Sequence, residues 1–381
     1  MKILNTTSDL ATACAIARKA EFVALDTEFM RERTFWSQLC LIQMATDEVE
    51  AIIDPLADGI DLTPFLDLLR DKSIIKVFHA ARQDMEIFYT LLGEVPGPIF
   101  DSQVAAMAAG LGDSIGYDKL VRSLLNIDVD KGSRFTDWAQ RPLSPKQLSY
   151  ALADVTHLRD LYPILLKRLH DQNRSHWLDE EMQLLANPDI YSFKPVDAWK
   201  RMKIRKYNPK WLAIMAQVSQ WRETEAQRID RPRGRILKDD AIYEIAIAEP
   251  RTSEALRRLR AIPNGFERSR SAEGLLKAIN TALDDPNKYA PKVEMPKRNP
   301  AGLGPIVEML KVLLRIRAQE IGVAPRLISN SADIERLAAS DDADIPALRG
   351  WRLEEFGNDA LAMKAGKLGL RLRNGVIVLE R

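Results

Sequence analysis

Residues 22–29 read Phe22-Val23-Ala24-Leu25-Asp26-Thr27-Glu28-Phe29. The first four are apolar or small, the composition of a buried strand. Asp26 and Glu28 then stand at i and i+2, so on a strand both carboxylates project from one face. Two like charges at the end of a core strand repel each other and lose hydration. A divalent cation turns that repulsion into attraction, and Mg²⁺ and Mn²⁺ prefer such oxygen donors. The stretch sets two questions: which fold carries the strand, and which other groups share its cation.

Outward from this strand, residues 39–45 and 49–53 read as two more strands. Asp47-Glu48 suits the turn between them, and Asp54-Pro55 ends the third. Residues 62–69 form a short amphipathic helix. A fourth strand at 74–78 leads into a helix at 81–92. A brief fifth strand, Ile99-Phe100, leads into another helix at 102–109. Three antiparallel strands followed by helix–strand units predict an α/β domain with a mixed sheet. From residue 117 the pattern is helical, apart from a loop at 128–142. Residues 145–169 read as one long helix, with Ser144 as N-cap and Pro145 at its first position.

Length and composition bound the rest. The 381 residues, 46% hydrophobic, suffice for two or three domains with cores. Two cysteines, Cys14 and Cys40, exclude a disulfide framework or a zinc cluster, and four histidines leave little room for His-rich metal sites. No apolar run approaches the ~20 residues of a membrane span, and the N-terminus turns polar at once, so a cytoplasmic protein is expected. Residues 1–190 hold 19 Lys+Arg against 29 Asp+Glu, a balance of −10. Residues 191–299 hold 24 against 14, or +10, and residues 300–381 hold 12 against 11, or +1. An acidic module suits metal ions and a basic one suits a polyanion, although solvated surface charge gives the same balance.

Residues 190–207 form a polar, aromatic connector (Tyr191, Phe193, Trp199) ending in a basic run. Residues 286–305 contain five prolines, a linker composition. The segments flanking that linker match at an offset of 92 residues, with pairs such as Ala226/Ala318, Ile236/Ile328, Leu256/Leu348 and Gly265/Gly357. Two small helical modules from a duplication account for this, as does chance likeness between Ala- and Leu-rich helices. The expected domains are 1–170, a connector at 171–207, a basic helical module at 208–286, a linker at 287–302 and a second module at 303–381.

Two further groups are candidates for the cation. Asp84 lies where the fourth strand passes into a helix, an edge where ligands of α/β sheets gather. It could equally serve the dipole of that helix. Tyr150 and Asp154 stand at i and i+4 on the long helix and share a face. A phenol one turn before a carboxylate can hold a metal-activated water; a tyrosine at a core edge and an exposed acid give the same spacing.

Taken in order, Asp-x-Glu on the first strand, an Asp after the fourth and Tyr-x-x-x-Asp on a later helix resemble the DEDD exonuclease superfamily. The tyrosine subclass fits, because Ser149 occupies the position of the histidine in the other. "LDTEFMRERTFWSQLCLIQMAT", "KVFHAARQDMEIF" and "DKGSRFTDWAQRPLSPKQLSYALADV" resemble the bacterial ribonuclease D family over residues 20–170, and "SFKPVDAWKRMKIR" extends the likeness to residue 205. The two helical modules resemble its paired HRDC domains. The resemblance implies a ribonuclease-H-like α/β catalytic domain followed by two small all-α domains. It implies two divalent cations, Mg²⁺ or Mn²⁺. By the same resemblance, Asp26 would bridge both, Glu28 and Asp154 would complete one site, and Asp84 would hold the second, directly or through water. The resemblance further implies that Tyr150 aims the attacking water and that nucleoside 5′-monophosphates leave from the 3′ end of RNA.

A DNA exonuclease of the same superfamily and a non-catalytic nucleic-acid adaptor are the competing expectations. The family also implies tRNA precursors and other small structured RNAs as substrates; a monomer is expected from the lack of heptads. Phe29 and Gln83 stand beside the motifs and could touch the terminal nucleotide, or serve as core and cap residues. Arg134 also lies close by in sequence. His79 is expected to be a satisfied strand-end histidine. Arg231, Arg233, Arg235, Arg257 and Arg258 are expected to contact phosphates of the RNA body.

Overall fold

The computed structural model describes residues 2–130, 132–133, 136–293, 295 and 302–381. Arg134 and much of the expected linker lie outside them. The chain packs as two units. One comprises Met1–Glu28, Leu41–Pro188 and Arg298–Arg381, the other Phe29–Cys40 and Asp189–Lys297.

The first unit is built on a six-stranded sheet. Its strands and helices run β1 (Lys2–Leu4), α1 (Thr7–Ala17), β2 (Phe22–Met30), β3 (Gln38–Ala45), β4 (Glu50–Ile53), α2 (Thr63–Arg70), β5 (Ile75–Phe78), α3 (Arg82–Leu92), β6 (Ile99–Asp101), α4 (Ser102–Ala108), α5 (Tyr117–Leu125), α6 (Pro145–Asp171) and α7 (Asp179–Leu185). The strand order is β1-β4-β3-β2-β5-β6. β1 with β4, β2 with β5 and β5 with β6 pair parallel, whereas β3 and β4 are antiparallel. The expected mixed sheet is thus present. β1 and α1 were not foreseen: a three-residue strand has too little length to show a period.

The long helix α6 starts as its sequence requires. Ser144 accepts from Gln147 N, the Gln147 side chain returns to Ser144 N, and Pro145 occupies the first turn. Leu148, Ala151, Val155, Leu158, Leu161 and Leu165 make one buried stripe at helical spacing. Val155, Leu158, Leu161 and Leu165 of that stripe join a core containing Ala24, Ala45 and Val77 of the sheet.

The second unit contains α8 (Pro209–Arg228), α9 (Arg233–Ile236), α10 (Asp239–Ala248), α11 (Ser253–Arg257), α12 (Arg270–Asp284) and α13 (Pro286–Tyr289). Their core includes Trp211, Ile214, Leu237, Ile242, Leu275 and Ile279. Residues 29–40 belong to this unit. Phe35 and Trp36 pack against Phe193, with ring centroids 5.9 and 6.1 Å away. The Asp230 carboxylate accepts from Phe35 N and Trp36 N at 2.9 and 3.0 Å.

The C-terminal residues return to the first unit as α14 (Leu303–Ile321), α15 (Pro325–Ile328), α16 (Ser331–Ala339), α17 (Gly350–Arg352), α18 (Asn358–Lys364), β7 (Gly369–Arg373) and β8 (Val376–Glu380). α9 and α15 begin at Arg233 and Pro325, and α10 and α16 at Asp239 and Ser331, each 92 residues apart. The offset seen in sequence therefore reappears in the succession of helices. One expectation needs correcting: the second module is not all-α, because β7 and β8 form an antiparallel hairpin. Asn374 and Gly375 at its tip both have positive φ (50° and 79°), as an Asn-Gly hairpin turn requires.

The C-terminal module and the residues after α6 interlock within the first unit. The Trp177 and Trp351 rings stack 4.0 Å apart at 5°. Arg352 is 2% exposed; it donates to the Leu327 carbonyl at 2.8 Å and pairs with Glu180 and Glu181. Gly110, at φ +76°, lies so close that a Cβ there would meet the Gly322 carbonyl oxygen at 2.4 Å, so only glycine fits.

Candidate active site

β2 supplies the first two acids. Its alternation puts Val23 and Leu25 on one face and Ala24, Asp26 and Glu28 on the other. Ala24 shares one core with Val155 and Leu158 of α6, and Asp26 and Glu28 continue its face of the strand. Asp154 on α6 is only 9% exposed. Carboxylate oxygens of Asp26, Glu28 and Asp154 all lie within 4.8 Å of one another.

Asp84 approaches from α3. β5 lies beside β2, with Ala24 opposite Val77, so the chain leaves β5 level with Asp26. It turns through Ala80 at φ 58° and enters α3, whose first turn carries Asp84. Asp84 is 6% exposed, and one of its oxygens accepts from Thr27 Oγ1 at 2.5 Å. Burial drives the Asp84 carboxyl up to about 7, against the Thr27 hydrogen bond that lowers it. Burial likewise holds the Asp26 carboxyl well above its ordinary range, and the charges of Asp84, Asp154 and Glu28 push it further. Asp26 therefore feels the charge of the other three acids, although the close oxygen cluster contains only Asp26, Glu28 and Asp154.

The chemistry of this donor set fits hard divalent cations. The donors are carboxylate oxygens on two strand positions and two helices, and their mutual repulsion is what a cation relieves. Tyr150 stands one turn before Asp154 on α6 and is half-buried. Its ring packs near Trp138, itself 2% exposed, at 6.1 Å and 36°. Gln83 is exposed in the first turn of α3. His79 is half-buried, and its Nδ1 hydrogen-bonds Ser102 Oγ at 2.9 Å.

Phe29, next after Glu28 on β2, and the five arginines belong to the second unit. Arg231, Arg235, Arg257 and Arg258 are exposed. Arg233 differs: its guanidinium is bonded through Nε and Nη2 to Glu223, which is 1% exposed, and lies 4.6 Å over the Phe35 ring.

Sequence reasoning missed three supports. Asp101, 3% exposed, accepts from Ala80 N and Ala81 N (3.1 and 2.9 Å) and from Gln103 N and Val104 N (2.8 and 3.4 Å). Those bonds fix the left-handed turn that delivers Asp84 and occupy the carboxylate, so Asp101 is a brace. Its signal was present, an Asp-Ser pair opening a helix. Tyr117 Oη donates to the Ala153 and Asp154 carbonyls, pinning α6 at the level of the acids. Thr27 holds Asp84; on a strand it read only as the residue between two acids.

A family model described as 3′–5′ exonuclease matches residues 1–170, and one described as HRDC domain matches residues 211–279. Ribonuclease D of Nitrobacter hamburgensis is 48% identical over 378 residues, covering 99% of each chain. The chain belongs to the ribonuclease D family. Ribonuclease D of Bartonella henselae is 45% identical over 99% of this chain and 93% of its own. The crystal structure of Escherichia coli RNase D, described as an exoribonuclease involved in structured RNA processing, aligns at a TM-score of 0.83 and 27% identity, covering 96% of this chain and 98% of that one. Membership makes this chain a 3′–5′ exoribonuclease with an HRDC domain after its catalytic domain. Enzymes of this exonuclease family use divalent metal ions. No helix among the described residues is long and apolar enough to cross a membrane.

Proposed function

We propose that Asp26, Glu28, Asp84 and Asp154 form the site at which RNA is shortened from its 3′ end, releasing nucleoside 5′-monophosphates. The observation that carries this reading is the meeting of Asp26, Glu28 and Asp154 within 4.8 Å, with the charge of Asp84 acting on Asp26. Asp26, Glu28 and Asp154 would hold one cation and Asp26 and Asp84 another, Mg²⁺ or Mn²⁺. Bound there, such ions supply a water of lowered pKa and positive charge for the developing phosphoryl oxygens. The protein's own groups do the rest. Tyr150 hydrogen-bonds the attacking water and aims it at the terminal phosphorus. A phenol, with an ordinary pKa of about 10, orients that water and leaves its proton in place. Gln83 and Phe29 contact the terminal nucleotide. Exposed Arg231, Arg235, Arg257 and Arg258 meet phosphates of the RNA body, which positions RNA without reading its sequence. tRNA precursors and other small structured RNAs are the proposed substrates, acted on in the cytoplasm by a monomer.

The test is a 5′-labelled RNA incubated with enzyme and Mg²⁺ or Mn²⁺, beside a matched DNA oligonucleotide. A one-nucleotide ladder on RNA that chelator abolishes is expected; a ladder that persists in chelator would overturn the metal reading, and preferential trimming of DNA the substrate. Tyr150→Phe keeps the ring against Trp138 and removes the hydroxyl. Its kcat should fall about 100-fold through a misplaced nucleophile, with KM changed little. An unchanged kcat removes Tyr150 from the chemistry.

A further inference from the structure

Tyr150 can aim a water only if its own ring is held. A tyrosine ring turns about two side-chain bonds, and the hydroxyl at its far end moves with each turn. The α6 backbone fixes where the side chain starts, not where it ends. The ring is half-buried and packs near Trp138, at 6.1 Å and 36°. Whatever fixes Trp138 therefore bears on where the Tyr150 hydroxyl lies.

Trp138 belongs to the loop between α5 and α6. It is 2% exposed, and its buried Nε1 has no hydrogen-bond partner among the described residues. Packing and the path of the backbone set the indole, and the backbone is gripped. Arg141 Nη1 donates to the Trp138 carbonyl at 2.8 Å and to the Gln140 carbonyl at 2.9 Å. The other side of the same guanidinium forms a fork on Asp54. Its Nε and Nη2 donate to the two carboxylate oxygens, each at 2.7 Å. Such paired bonds fix direction as well as distance.

Asp54 is a firm anchor for that fork. It follows β4 directly, its N–H donates to the Leu4 carbonyl of β1 at 3.0 Å, and its carboxylate accepts from Leu56 N at 3.0 Å. The Asp54 side chain is 13% exposed and that of Arg141 28%. Burial raises the Asp54 carboxyl, but the Arg141 hydrogen bond outweighs it and the carboxyl lies below its ordinary range. The pair is therefore charged near neutral pH. The loop is also tied to α6. Gln147 Nε2 donates to Thr136 Oγ1 at 3.1 Å, and Thr136 Oγ1 donates to the Ser133 carbonyl at 2.8 Å. Trp138 thus lies between two attachments, one to the edge of the sheet and one to the helix that carries Tyr150.

We propose that Arg141, anchored by Asp54, is a positioning residue for the exonuclease reaction: it sets Trp138 and, through that ring, the direction of the Tyr150 hydroxyl. This inference rests on the reading of Tyr150 as the group that aims the attacking water.

The full chain is assayed on 5′-labelled RNA in Mg²⁺ as wild type, Arg141→Lys, Tyr150→Phe and the double variant. Lysine keeps the charge but lacks the planar fork that joins Asp54 to two carbonyls. Arg141→Lys should lower kcat about tenfold through a displaced hydroxyl, with KM changed by less than about twofold. In the Tyr150→Phe background the same change should cost nothing further, to within about twofold, because the group being aimed is gone. A pair that merely stabilised the loop would cost the same in both backgrounds. Asp54→Asn keeps the shape of the anchor without its charge, and it carries the same cycle where Arg141→Lys does not fold. Wild-type kcat in Arg141→Lys overturns the proposal. So does a full loss repeated in the double variant beside an impaired Tyr150→Phe, an outcome that leaves the Tyr150 reading standing. Tyr150→Phe with wild-type kcat overturns that reading and this inference with it.

Discussion

Asp26→Ala is expected to abolish the RNA ladder, with at least a ~1,000-fold loss of turnover, equivalent to about 4 kcal/mol of transition-state stabilisation. Asp26 is the acid on which the charges of the other three act, so its loss should remove both proposed cation positions together. The same change should make the protein more stable in chelator. In the wild type, burial and three neighbouring carboxylates raise the Asp26 carboxyl, so its charged form is disfavoured in the fold. A carboxylate with a raised folded pKa loses stability as pH climbs from its ordinary value near 3.8 toward the folded one. Alanine removes that loss, and the gain over wild type should grow with pH in metal-free melts. Dead enzyme with a raised melting temperature in chelator is the combined signature. Trimming at the wild-type rate, or a variant that melts lower at neutral pH without metal, would refute the shared-site assignment.

The second large effect concerns stability. Arg352→Ala should destabilise the first unit by about 3 kcal/mol. The arginine is 2% exposed and satisfies two carboxylates and the Leu327 carbonyl. The Glu180 and Glu181 side chains keep 43% and 25% exposure, so solvent softens the loss and the low end of the range for broken buried pairs applies. A pH test separates electrostatics from lost packing. Burial raises the Glu181 carboxyl and Arg352 holds it down. Without the arginine Glu181 rises further, so protonation relieves the variant and its deficit should shrink on acidification toward pH 5. Chemical denaturation of the two proteins at pH 7 and 5 reads both. A deficit that does not change with pH would leave only packing as its cause.

The acids were legible in sequence because each obeys a period: Asp26 and Glu28 the period of a strand, Tyr150 and Asp154 the turn of a helix. Asp84 was legible from its position after a strand. What escaped was whatever depends on a partner distant in sequence. Tyr117 could not be matched with the carbonyls of Ala153 and Asp154, because nothing local couples residues 36 or 37 positions apart. The stack of Trp177 on Trp351 escaped for the same reason. The hairpin at Gly369–Glu380 is different: Asn374-Gly375 between alternating residues is a local signal, overridden by the helical repeat upstream. The offset of 92 residues located the helices of both modules, but packing unites the second with the sheet, and a sequence period carries no information about that.

One core runs from Ala24 through Leu178 and resumes at Leu303. During synthesis the ribosome delivers its two parts separated by the whole basic module. A nascent chain paused near residue 300 exposes Trp177 and the ends of α4 and α6 with nothing to cover them, while the HRDC domain already has every residue of its own core. The basic module can mature first, and the nuclease closes its core last. A nonsense mutation in the final fifth of the gene would thus cost the cell the exonuclease, although every carboxylate of its proposed active site had been translated.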